Sequence, residues 1–163
     1  MLQPKTEADL AALIAGRTAP LRIIGGGTRD VGAPVKGEVL SLRGLSGIVD
    51  YEPGAMTLVV KAGTSLAEVD AALAQEGQRL AFEPADWRAL LGTTGEPTVG
   101  GMVASGLSGP SRASVGAVRD FVFRLNFEVV SLNVQHFEVM PVDSGLKVLL
   151  NDLQLLVIWL PFD

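Results

Sequence analysis

Three consecutive glycines follow an apolar run near the start of the chain. The stretch RIIGGGTRDVG spans residues 22–32 and carries the glycines at positions 25–27. Glycine has no Cβ, so a ligand can come close to the main chain, and the N–H groups of such a loop can surround an anion. The stretch predicts a phosphate or pyrophosphate loop after a strand, in which Thr28 adds a hydroxyl donor and Arg29 a positive charge. Taken alone, it is equally typical of a mobile turn.

Neither of two well-known phosphate loops fits this stretch. The dinucleotide-binding fingerprint needs glycine at its first, third and sixth positions; Gly25 and Gly27 satisfy the first two, but Asp30 occupies the sixth. The Walker loop needs the tripeptide Gly-Lys-Ser or Gly-Lys-Thr, which the sequence lacks. The glycines therefore indicate another kind of phosphate site.

A second glycine-rich stretch strengthens the ligand hypothesis. TVGGMVASGLSG, residues 98–109, holds the pair Gly100 and Gly101 and then several small residues. A backbone could again approach a flat or anionic ligand closely there. Two such surfaces in one small domain favour a long cofactor lying between them.

The local patterns predict both helices and strands. Capping boxes, in which a Ser or Thr precedes an acid by three residues, begin at Thr6 and Ser65 and predict helices over 6–16 and 65–77. Two β-type runs flank Pro53-Gly54 and predict a hairpin. Further apolar runs predict strands at residues 20–24, 38–42 and 121–130. The expected class is α+β.

Composition excludes several kinds of protein. Apolar residues make up 48% of the chain and charged residues 19%, which favours a folded domain over disorder. The net charge is −5 without a Lys/Arg block, so a nucleic-acid partner is not expected. Cysteine is absent, which excludes disulfides and thiolate metal sites. The apolar end of the chain is interrupted by polar residues at 151–154, so no transmembrane segment is expected.

Three stretches in this order resemble a known family. They are IIGGGTR (23–29), VVKAGTSLAEVDAALAQEGQRLAFEP (59–84) and TVGGMVASGLSGPSRASVGAVRDFV (98–122). Together they resemble the PCMH-type FAD-binding domain of the vanillyl-alcohol oxidase superfamily, and within it the FAD-binding subunit of bacterial glycolate oxidases. The resemblance covers about residues 1–122. It implies an α+β fold of two α/β lobes, the second incomplete or divergent, with FAD between them.

The resemblance also implies which residues contact FAD. Residues 25–28 match the family's first pyrophosphate loop, and residues 98–106 match its second glycine-rich segment. The implied FAD-binding residues are Ile24, Gly25, Gly26, Gly27, Thr28, Arg29, Pro84, Thr98, Gly100, Gly101, Ala104, Ser105, Gly106 and Asp120. For Pro84 and Asp120, a turn proline and a solvated or helix-capping acid stay open as alternatives.

Covalent attachment of the flavin and a protein-derived catalytic group are not expected. The single histidine, His136, lies outside the resembling region, so the FAD is expected to be non-covalent. No catalytic triad, supported carboxylate pair or metal cluster can be assembled from the remaining residues. No catalytic side chain and no metal site are therefore predicted.

The resemblance and the composition change together near residue 122. Of 19 glycines, only Gly145 lies beyond that point, and the family's late Gly-Ser-x-Gly-x-Leu-Gly passage is missing. The expected organisation is a first lobe over about 1–77, the start of a second over about 78–122, and a divergent tail over 123–163. The tail is expected to be either a shortened natural variant or, as we favour, the product of a shifted reading frame.

The function implied by the resemblance is that of an FAD-binding subunit in a flavin-dependent oxidase or dehydrogenase complex. The substrate would be a small 2-hydroxy acid such as glycolate, and the partners a sister flavin subunit and an iron–sulfur subunit. Two alternatives stay open: a non-catalytic docking subunit, and a truncated fragment that does not retain flavin. The expected location is the cytoplasm, with peripheral attachment to the inner membrane through partners left open.

Overall fold

The computed structural model describes residues 1–33, 36–125 and 156–159. Helices and strands are both present, which confirms the predicted α+β class. The helices are α1 (Glu7–Ala15), α2 (Leu66–Gln75), α3 (Arg88–Leu91), α4 (Val99–Ser105), α5 (Arg112–Val115) and α6 (Val118–Phe121). The strands are β1 (Leu21–Ile24), β2 (Glu38–Ser41), β3 (Ile48–Glu52), β4 (Thr57–Val60), β5 (Val122–Leu125) and β6 (Leu156–Trp159).

The two long helices begin where the capping patterns predict. At α1, Oγ1 of Thr6 accepts the N–H of Asp9 at 3.1 Å, and the Asp9 carboxylate accepts the N–H of Thr6 at 3.2 Å. At α2, Oγ of Ser65 accepts the N–H of Glu68 at 3.1 Å. These bonds satisfy N–H groups that the first helical turn leaves without partners, which explains why so local a pattern identifies a helix start.

The strands form two sheets. In the first, β1 and β2 are parallel, with Leu21 opposite Glu38, and Leu2 pairs with the far side of β2 through a bridge to Leu40. In the second, the order is β3-β4-β6-β5. The predicted hairpin is confirmed: β3 and β4 are antiparallel and joined by a 3₁₀ turn over Pro53–Ala55.

Part of the tail belongs to the second sheet. The strand β6 lies between β4 and β5 and is antiparallel to both. The strand predicted over 121–130 is present as β5 at residues 122–125, and its remainder lies outside the described residues. His136 also lies outside them.

One hydrophobic core joins the two parts of the chain. Its buried side chains are Leu58, Val60, Leu66, Val69, Leu73, Leu80, Phe82, Val99, Met102 and Val118. The rings of Phe82 and Phe121 stack at its edge, with their centroids 5.7 Å apart. The core draws residues from both sides of position 77, so it holds the glycine-rich stretch at 98–109 against the first half of the chain. The division into lobes near residue 77 stays a prediction.

Among the described residues, no helix is long and apolar enough to cross a membrane.

The core predicts a large difference between two leucines. Leu73 on α2 is fully buried, whereas Leu90 on α3 is 78% exposed. We expect Leu73→Ala to lower the free energy of unfolding by about 2–5 kcal/mol, because it removes buried surface and leaves a cavity. Leu90→Ala should change it by less than about 0.5 kcal/mol. Urea denaturation followed by circular dichroism measures both, and equal midpoints for the two variants would contradict this core.

Candidate functional site

A cavity of about 370 Å³ opens between the two glycine-rich stretches. It is lined by residues of β1, the loop after it, and α4 with the residues that precede it. The predicted FAD-binding residues that line it are Ile24, Gly25, Gly26, Gly27, Thr28, Arg29, Thr98, Gly101 and Ser105. Two stretches about 70 residues apart in sequence therefore meet at one hollow, as the sequence analysis expected of a long cofactor. That these residues bind FAD stays a prediction.

Main chain approaches main chain where the two stretches meet. A Cβ built at Gly26 would lie 1.6 Å from the carbonyl oxygen of Glu96, and one at Gly95 would lie 2.0 Å from the carbonyl oxygen of Gly26. Neither position can hold a side chain unless the two segments separate. The glycine at position 26 is thus required by the fold itself, and the space that its missing side chain leaves is filled by the protein.

The neighbouring glycines serve different purposes. A Cβ at Gly25 would lie 2.5 Å from Oγ1 of Thr98, so Gly25 also allows close packing. Gly27 has nothing within 4 Å of such a Cβ, but its φ of +69° lies in the left-handed region that glycine adopts without strain. The loop therefore needs glycine twice for close contact and once for a turn.

The amide groups of this loop have no partner in the part of the chain that the structure describes. Among the described residues, the N–H groups of residues 25–28 donate no hydrogen bond. These residues line the cavity, and concave arrangements of main-chain amides are known to bind anions. Thr28 is largely buried, and its own carbonyl accepts the hydroxyl of Thr93 at 3.0 Å, which ties the loop to the segment after α3.

Thr98 and Gly100 fix the start of α4. Oγ1 of the buried Thr98 accepts the N–H of Gly101 at 3.3 Å and so caps the helix. Gly100 donates its N–H to the carbonyl of Ala62 at 2.8 Å, and a Cβ at Gly100 would lie 2.8 Å from the Cβ of Ala62. Gly100 therefore packs α4 against the end of β4 and does not line the cavity.

Arg29 is held by the chain rather than standing free. Its Nη1 donates to the carbonyl of Gly101 at 3.3 Å and to Oγ of Ser105, and its Nη2 donates to the carbonyl of Ala85. Burial lowers the pKa of Arg29, and the nearby Asp86 carboxylate raises it again in part. The pKa of Asp86 is itself lowered, chiefly by its hydrogen bonds from Arg88.

Four other predicted residues, like Gly100, are absent from the cavity lining. Pro84 forms an isolated antiparallel bridge with Ser108. Ala104 is exposed, and Gly106 ends α4 with a left-handed φ of 60°. Asp120 accepts the N–H of Ala117 at 2.8 Å, which is the helix-capping alternative considered for it. Direct contact of these residues with FAD stays a prediction.

Some lining residues were missing from the sequence prediction: Arg22, Ile23, Asp30, Pro97 and Met102. Arg22 and Asp30 form an ion pair, with Nη2 and Oδ1 2.7 Å apart. Their positions in the sequence, on either side of the three glycines, could have identified them as lining residues, because they place the two side chains at the two ends of one turn. Met102 follows Thr98 by one helical turn and is 1% exposed, so its burial alone would have assigned it to the core.

The donor set fits a diphosphate group. Among the described residues, the cavity offers the N–H groups of residues 25–28, which donate no hydrogen bond, and the side chains of Thr28 and Thr98, with Arg29 beside them. Hydroxyl and amide donors of this kind bind phosphate oxygens without a metal. In the part of the chain that the structure describes, no three His, Asp or Glu side chains come together as a metal site. The residues present therefore fit the pyrophosphate of a dinucleotide such as FAD.

Comparison with known proteins gives consistent results. The family described as "FAD binding domain" matches residues 1–131. Glycolate oxidase subunit GlcE of Escherichia coli (strain K12) is 42% identical over 104 residues, which cover 63% of this chain and 28% of that protein. The chain thus spans less than a third of that relative's length.

Two structures of an alkyldihydroxyacetonephosphate synthase share the fold. One superimposes with a TM-score of 0.67 at 16% identity, covering 98% of this chain and 31% of the other. The second gives a TM-score of 0.58 at 21% identity, covering 76% of this chain and 25% of the other. At these identities the likeness concerns the fold alone.

The contact between Gly26 and Glu96 predicts a strong effect of one methyl group. We expect Gly26→Ala to destabilise the chain by about 3 kcal/mol, because its Cβ would overlap a main-chain carbonyl that has no rotamer to change. Gly54→Ala is the matched control, since a Cβ there meets its nearest atom, Oε1 of Glu52, at 3.5 Å. Thermal melts of both variants test this, and a Gly26→Ala melt equal to wild type would mean that the loop lies elsewhere.

Proposed function

The chain belongs to the family of FAD binding domains, and we propose that it forms the FAD-binding part of a subunit in a flavin-dependent oxidoreductase complex that oxidises a small 2-hydroxy acid such as glycolate. The cofactor of this family is FAD, and the cavity described above is the site that we assign to it. The single observation that supports this assignment is that two distant glycine-rich stretches meet at one cavity, where the amide groups of residues 25–28 have no hydrogen-bond partner among the described residues.

The proposed roles of the residues follow from their donors. The N–H groups of residues 25–28 and the hydroxyl of Thr28 would bind the pyrophosphate, which needs several donors and no bulky side chain nearby. Thr98, at the start of α4, would add a hydroxyl donor, whereas the Ser105 hydroxyl already donates to the carbonyl of Met102 at 2.8 Å. When bound, FAD supplies the redox chemistry, and the protein supplies its position and its electrostatic surroundings.

The proposed substrate and complex rest on the similarity to the glycolate oxidase subunit GlcE. A sister flavin subunit and an iron–sulfur subunit would be the partners, because electrons taken from a 2-hydroxy acid must leave the flavin before the next turnover. The flavin is proposed to be non-covalent. A docking subunit without flavin of its own is the alternative that the experiments below exclude or support.

A side chain placed in the cavity should separate FAD binding from folding. Gly101 lines the cavity, and apart from the helix's own backbone a Cβ there meets only Oγ1 of Thr98 within 4 Å, at 3.1 Å. We expect Gly101→Leu to abolish FAD binding while keeping the fold, because leucine favours a helix more than glycine does. Ala104→Leu, on the same helix but exposed and outside the cavity lining, is the matched control.

Calorimetric titration of FAD and thermal melts read out both effects. FAD at about a hundred times its Kd should stabilise the wild type and Ala104→Leu by about 2.7 kcal/mol, because it binds the folded state only. It should leave the melt of Gly101→Leu unchanged. Tight FAD binding by Gly101→Leu would place the cofactor outside this cavity.

The substrate proposal has its own test. FAD-loaded protein, mixed without oxygen with glycolate, should lose the visible absorbance of oxidised flavin, while acetate, which lacks the hydroxyl group, should not affect it. The assay is run on the chain alone and after co-expression with candidate flavin and iron–sulfur subunits. Bleaching only in the complex would support a shared active site. Flavin found only in the sister subunit would favour the docking alternative.

A further inference from the structure

Arg29 directly follows the first glycine-rich loop and reaches two distant parts of the chain. Its partners Gly101 and Ser105 belong to α4, and its partner Ala85 precedes α3. They lie 72, 76 and 56 residues further along the sequence. One side chain therefore joins the loop to the helix that lines the same cavity and to the segment before α3.

These contacts occupy both terminal nitrogens of the guanidinium group. Its Nη1 has two oxygen partners and its Nη2 has one, and all three oxygens belong to the protein. The Nε atom is buried without a partner among the described residues. Arginine suits this position because its planar group carries five donors in fixed directions, whereas lysine presents one compact ammonium group.

We propose that Arg29 is a positioning residue, which holds the first glycine-rich loop and α4 at the separation that FAD needs, rather than a residue that pairs with a cofactor phosphate. The inference rests on the FAD site of the proposed function and deepens it. It differs from the role expected from sequence, in which Arg29 contributed a positive charge beside the phosphate. The observation that supports it is that three of the five N–H donors of Arg29, on both terminal nitrogens, already bind oxygens of two other segments of the chain.

The charge-conserving variant distinguishes the two roles. Arg29→Lys keeps the positive charge but cannot reach three oxygens, so we expect the Kd for FAD to rise about tenfold or more, with Arg29→Gln equally weak. Arg17 is the matched control, because it also forms an ion pair, with Glu38, but lies outside the cavity lining. Arg17→Lys should bind FAD within about twofold of the wild type.

Two further measurements distinguish a loss of global stability from a loss of the positioning role of Arg29. Leu73→Ala removes buried surface outside the cavity lining, so it should lower the melting temperature yet keep the wild-type Kd when FAD is titrated well below that temperature. In the FAD-free protein, Arg29→Lys should accelerate hydrogen exchange in α4 and in residues 84–88, and leave α2 unchanged.

A milder variant covers the case in which Arg29→Lys fails to fold. Ser105→Ala removes one of the three acceptors on an exposed residue, so we expect folded protein with about threefold weaker FAD binding. In the Arg29→Lys background, where the contact is already lost, the same change should add little. Additive effects of the two changes would overturn the proposal.

The outcomes also separate this inference from the proposed function. Wild-type affinity in Arg29→Lys, or much weaker binding in Arg29→Gln than in Arg29→Lys, would show that charge is what matters and would overturn the positioning role alone. Absence of FAD binding by the wild-type chain would overturn the proposed function and this inference together.

Discussion

The structure depends on one close approach of main chain to main chain. Gly26 and Gly95 each turn the side that would carry a Cβ toward a carbonyl oxygen of the other segment, and no residue with a side chain fits at either position. This contact holds the first loop beside α4, and the shared hydrophobic core holds α4 in turn. The cavity, its unpaired amide donors and the reach of Arg29 all follow from that arrangement.

In our proposal, FAD is therefore bound by a surface that consists mostly of main-chain atoms. Such a surface recognises phosphate oxygens by donors whose positions are fixed by the fold and whose charge does not change with pH. Other contacts hold this surface in place. Arg29 joins the two walls, Thr98 caps α4, and Gly100 seats that helix on Ala62.

The sequence predicted features that depend on local chemistry. The caps at Thr6 and Ser65 and the hairpin at Pro53-Gly54 were found because each involves residues only a few positions apart. The meeting of the two glycine-rich stretches was also expected. The sequence did not predict what fills the space at Gly26, because a glycine is equally compatible with a nearby ligand and with a nearby main-chain carbonyl. The carbonyl is that of Glu96, 70 residues away. The partners of Arg29 and the place of β6 are distant contacts of the same kind.

The sheet order β3-β4-β6-β5 has a consequence for how the chain acquires its fold. Leu58 on β4 lies opposite Ile158 on β6, so about a hundred residues separate the two members of that pair. During synthesis, the edge of β4 that pairs with β6 has no partner strand until β6 has left the ribosome. The hairpin partner β3, on the other edge, is already in place by then. Pairings between such distant segments form slowly and leave hydrogen-bonding edges exposed to other chains. Yield in the cell should therefore depend on chaperone capacity.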